Sequence, residues 1–107
     1  MSAPPIKLSR LRDIGFTFWD PIGVSAGEAW DHKPWANEYD DYLLEAASGL
    51  RRGWSEADAK EYLLDIARDH MGLSFVSEDD AAATATALSF YIRNLDAAAS
   101  ERNMDAT

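Results

Sequence analysis

Trp54-Ser55-Glu56-Ala57-Asp58-Ala59-Lys60-Glu61-Tyr62-Leu63-Leu64-Asp65-Ile66 decides the fold, because its helix start is legible from local chemistry alone. Ser55 is a good N-cap: its hydroxyl can accept from the backbone N–H three residues on. Asp58 stands at that position, where a carboxylate can reach back to the Ser55 N–H. Glu56 and Asp58 also put acids in the first turn, against the positive end of the helix dipole. Trp54 and Ala59 form a weak hydrophobic staple. Ala59, Tyr62, Leu63, Ile66 and His70 then return at three- and four-residue steps, which is one face of a helix, and Gly72 closes it.

Working outward, Ser77 repeats the start signal with Glu78, Asp79 and Asp80 behind it. A fourth helix is expected from there to about Leu95, with Ala81, Ala85, Leu88, Tyr91 or Ile92, and Leu95 on one face. Residues 97–107 read as a loose tail. Upstream, a second helix is expected from Pro34 or Trp35, where proline suits a first turn, to Arg52. Its stripe is Tyr39, Leu43, Ala46, Ala47 and Leu50, and Gly53 is its left-handed cap. A first helix is expected from near Lys7, after a loose tail over 1–5, with Leu8, Leu11, Ile14 or Gly15, and Phe18 as its stripe. It should stop near Trp19, since Asp20 precedes Pro21 and a residue before proline avoids the α region. Residues 20–34 form a long loop bracketed by Trp19, Trp30 and Trp35. With no alternating stretch and no internal repeat, residues 1–107 are expected to make a single all-α domain. Its form is a compact four-helix up-and-down bundle with one long aromatic loop between helices 1 and 2.

Composition bounds the function. The chain has 107 residues, 47% hydrophobic and no cysteine, which suits one packed core and excludes a disulfide scaffold, a thiolate metal site and a cysteine nucleophile. No apolar run approaches the ~20 residues that span a bilayer. Met1 to Lys7 lacks the apolar core of a signal peptide. A cytoplasmic protein without membrane contact is expected. The net charge is −9, and residues 28–80 hold fourteen acids against five bases. That sign opposes binding to a phosphate backbone, so no nucleic acid is expected, and it suits a basic protein partner.

There is no phosphate-binding glycine loop, nucleophile elbow or paired-histidine zinc motif, so no catalytic residue, no enzyme activity and no cofactor is expected. Glu38, Asp41 and Glu45 share one helix face, and Asp65 and Asp69, beside His70, share another. Such oxygens suit a hard cation, but the Glu-x-x-His pattern of helical di-metal bundles is missing. Asp20, Glu38 and Asp41 converging under the tryptophan loop would be the weak metal or small-ligand alternative. His70, in a last turn, reads as a dipole partner. Trp30, Trp35, Glu38, Asp40, Asp41 and Tyr42 together could form a partner-binding surface with an acidic rim. The rings could equally fold the loop onto the bundle. Trp19, Asp20, Pro21 and Gly23 read as a structural turn: Asp20 caps through its carboxylate or pins the loop to backbone amides, Pro21 fixes φ, and Gly23 permits positive φ.

Trp19-Asp20-Pro21-Ile22-Gly23, Asn37-Glu38-Tyr39-Asp40-Asp41-Tyr42-Leu43, Tyr62-Leu63-Leu64-Asp65-Ile66 and His70-Met71-Gly72-Leu73 together resemble a small bacterial family of unknown function. The likeness covers residues 8–75, with Ala67 where an acid would follow Ile66. It implies a compact helical fold and no established activity. The expected function is a non-enzymatic interaction module with an acidic face, of the immunity or antitoxin kind by analogy in size and acidity. A homodimer hiding an aromatic patch is a further expectation.

Overall fold

The computed structural model describes residues 4–20, 23, 29–31, 33–73 and 76–105. They form four helices and, among the described residues, no strand. Helix α1 (Leu8–Ile14) continues as a π-helical turn (Gly15–Trp19), α2 is Asp40–Arg51, α3 (Glu56–Asp65) continues as a second π-helical turn (Ile66–His70), and α4 is Glu78–Asp105. The expected all-α four-helix bundle is what the chain forms. Helix α4 packs on each of the other three.

The local start and stop signals work as chemistry dictates. The Asp58 N–H donates to Ser55 Oγ at 3.1 Å and the Ser55 N–H to Asp58 Oδ2 at 3.0 Å, a complete capping box. The Asp80 N–H donates to Ser77 Oγ at 3.1 Å. Gly53, at φ 113°, closes α2 with two returning bonds, from the Trp54 N–H to the Gly49 carbonyl and from the Gly53 N–H to the Leu50 carbonyl, a Schellman arrangement. Gly72 ends the second π-helical turn at φ 67°.

Leu11, Trp19, Tyr39, Leu43, Ala46, Ala47, Leu63, Leu64, Ala81, Leu88 and Ile92 form the core. Every buried polar side-chain atom among the described residues has a partner. Ion pairs tie helix edges together: Arg51 to Asp96 at 2.7 Å and Arg93 to Glu56 at 3.1 Å. Being partly exposed, each contributes under about 1 kcal/mol.

Three expectations need correction. Helix α2 begins at Asp40, not at Pro34 or Trp35. Residues 33–40 instead make successive three-residue turns, with bonds from Ala36 to Lys33, Glu38 to Trp35 and Asp40 to Asn37. Trp35 and Tyr39 both pack on Phe16 of the first π-helical turn. Helix α4 runs past Leu95 to Asp105, because Ala97, Ala98 and Ala99 are strong helix formers that carry it on beyond its apolar stripe. Phe18 is not on the buried stripe of helix 1. The π-helical turn takes up one extra residue, which rotates the residues beyond it by about 100° relative to an unbroken α-helix. Trp19 therefore takes the inward place, at 6% exposure, and Phe18 faces solvent. Gly15, where the turn begins, is buried against α2. A Cβ there would lie 2.5 Å from Leu43 Cδ1, so only a bare backbone permits this approach.

Candidate protein-docking groove

Turning Phe18 outward places it on a concave surface among the described residues. Between the α1 segment and α4 lies an open groove of about 960 Å³. Ile14 and Phe18 form one wall, and Ala83, Ala87, Phe90 and Leu95 contribute to the other. Phe90 is 71% exposed and Phe18 42%, the two most exposed large hydrophobic side chains among the described residues. Arg10 and Asp13 sit at the α1 rim, Thr86 and Asn94 on α4. Half-buried Tyr91 lines the groove as well, and its hydroxyl accepts the Lys7 N–H at 3.0 Å, fastening the start of α1 to α4. Sequence periodicity missed this site. A signal was present in Phe90, which lies off the Ala81-Ala85-Leu88-Ile92 stripe, but its opposite wall depends on the π-helical turn.

The aromatic side chains around the long loop pack against the α1 segment. Trp30 Nε1 donates to Asp13 Oδ1 at 2.7 Å, and the Arg12 guanidinium lies 5.5 Å over the Trp30 ring. Arg12 also makes two bonds to Asp40, at 3.0 and 2.6 Å, and that contact raises the Arg12 pKa above its ordinary value. Trp35 meets Phe16 edge-on at 5.1 Å, and Tyr39 packs on Phe16 and Trp19 at 5.4 and 5.2 Å. Trp30 and Asp40 of the expected partner-binding set thus contact α1, and Trp35 contacts the π-helical turn that continues it. Rings and a bidentate ion pair satisfy each other better than water would.

Of that expected set, Glu38 and Asp41 are exposed and Tyr42 is half-buried, its ring edge-on to His70 at 5.9 Å. The Tyr62 phenol has a pKa above its ordinary value, first through burial, then through Glu45, Tyr42 and Asp41.

Asp20 adopts the left-handed conformation, φ 31°, and its carbonyl accepts the Gly23 N–H at 3.0 Å, with Gly23 at φ 75°. Its carboxylate accepts the hydroxyl of fully buried Tyr39 at 2.7 Å, so the loop is pinned through a side chain as well as a turn. Pro21 lies outside the described residues. Among the described residues no three His, Asp or Glu side chains are grouped to hold a metal ion. Asp20, Glu38 and Asp41 do not converge, because Asp20 turns inward to Tyr39 while the other two face solvent.

The raised Tyr62 pKa ties stability to pH. A tyrosine whose pKa is raised by folding favours the native state below its unfolded value near 10.0, and that contribution fades as pH rises through the folded value. Alkaline pH should therefore destabilise the protein, and Tyr62→Phe should flatten part of the slope. Urea midpoints measured from neutral to strongly alkaline pH check this.

No family model, curated protein or solved structure matches the chain. Among the described residues no helix is long and apolar enough to cross a membrane.

Proposed function

We propose that the chain is a protein-interaction module with no chemistry of its own, and that its docking site is the α1–α4 groove. Its occupant is an amphipathic helix of a protein partner, laid in by an uncharged apolar stripe. The observation that carries this reading is Phe90, 71% exposed opposite Phe18. Paired exposed rings in a groove with a polar rim are what a helix-in-groove site uses. The test is a nuclear magnetic resonance titration of the labelled chain with a synthetic amphipathic helix bearing a Leu/Ala stripe. Resonances of Phe18, Ala87 and Phe90 should shift saturably, and Phe90→Ser should abolish the effect without lowering the melting temperature. Absence of shifts at millimolar peptide would overturn the proposal.

A second surface is favoured by the exposed acids of α2 and the turn before it, in the stretch 28–80 that holds fourteen acids against five bases. The acidic α2–α3 side, with Asp41, Glu45 and Glu38, would draw a basic protein partner of the immunity or antitoxin kind. Asp41→Lys should then weaken capture of a basic partner and reduce its sensitivity to salt. Capture unaffected by that reversal counts against this reading. Asp40→Lys is unsuitable as a test, because it breaks the contact with Arg12.

A further inference from the structure

We infer that the helix seated in the α1–α4 groove is α4 of a second copy, so that two chains pair antiparallel about a two-fold axis near Phe90. The inference rests on the docking reading and names its occupant.

Charge selects among occupants. A chain of net charge −9 repels a second copy over most of its surface, since residues 28–80 hold fourteen acids against five bases. The outward stripe of α4 is the exception. Ala83, Thr86, Ala87, Phe90, Asn94 and Ala97 carry no charge over about 21 Å of helix at 1.5 Å per residue. Arg93, at the edge of this stripe, is held by Glu56 and by Ser89 Oγ at 3.0 Å, and Asp96 is turned away to Arg51. The α1 rim carries one charge of each sign, Arg10 and Asp13. A cationic helix finds no excess of acid here, whereas a neutral stripe finds a neutral groove.

The stripe also matches itself. An antiparallel two-fold through Phe90 sets Ala97 opposite Ala83 and Asn94 opposite Thr86. Ala then faces Ala and Thr faces Asn, the two phenylalanines meet at the axis, and Ala87 falls opposite Arg93, whose guanidinium is drawn aside to Glu56. An isologous contact requires this kind of self-complementarity. The flank of the incoming helix falls against Ile14 and Phe18 of the α1 wall, which removes both exposed rings from water.

Light scattering from low micromolar to millimolar chain tests the inference. The wild type should rise to the mass of two chains, and Phe90→Asp should stay at one chain with unchanged helical circular dichroism. If Phe90→Asp does not fold, Ala83→Glu places the charge on the same stripe at a smaller side chain. A dimer that survives both substitutions overturns the inference. So does a wild type that stays at one chain at millimolar concentration. In that case a saturable shift of Phe18 and Phe90 with the synthetic helix leaves the docking reading standing with another occupant, whereas no shift removes both.

Discussion

Tyr39→Ala is expected to cost about 3–5 kcal/mol, the range for deleting a buried aromatic, and so to remove much of the margin of a small domain. Tyr39 is fully buried, packs on Phe16 and Trp19, and gives its hydroxyl to Asp20 at 2.7 Å. Truncation opens a cavity where the long loop, α1 and α2 meet, and it releases the carboxylate that pins the turn. Tyr39→Phe keeps the ring and removes only the hydroxyl, so a smaller loss of about 1–2 kcal/mol is expected. Urea unfolding of both variants separates the packing and hydrogen-bond contributions. Equal losses would mean that the ring contributes little.

Gly49→Ala should destabilise the protein, against the usual rule. In an open helix interior the change gains about 1 kcal/mol. Here a Cβ would overlap the Trp54 ring, which covers Gly49 and packs on Tyr62 at 5.7 Å. An indole is rigid, so relief requires moving the ring or the α2–α3 corner, and overpacking of this kind costs about 1–3 kcal/mol. A lowered melting temperature is the expected result. A raised one would show that Trp54 swings away freely and does not hold the corner.

The parts of the fold that the sequence discloses are those set within three or four residues. Ser55 with Asp58, Ser77 with the acids beside it, and Gly53 after Arg51 and Arg52 act locally, and each does what its spacing dictates. The inward stripes of α2 and α4 are legible for the same reason: Leu43, Ala46, Ala47, Ala81, Ala85 and Leu88 are all buried. What escapes is set by distant partners. At Gly15, where the turn begins, Leu43 of α2 comes up against bare backbone. The delayed start of α2 follows the successive turns over residues 33–40, which proline at a first-turn position does not announce. A uniform 3.6-residue count carries Phe18 inward, and the π-helical turn reverses that. Sequence alone therefore points to the loop tryptophans and not to the Phe18 and Phe90 pair of the proposed groove. The contacts of Trp30 with Asp13 and Arg12 and of Trp35 with Phe16 join residues far apart in sequence, as does the groove that Phe18 and Phe90 line together.

The claim that the groove, and not the tryptophan loop, is the working surface is tested most directly by hydroxyl-radical footprinting of the aromatic side chains. In the free chain at low concentration, Phe18 and Phe90 should be modified faster than Trp19 and Tyr39 after correction for intrinsic reactivity. With saturating synthetic helix, both phenylalanines should become protected while Trp30 and Trp35 keep their rates. Protection of Trp30 and Trp35 with Phe18 and Phe90 unchanged would contradict the account.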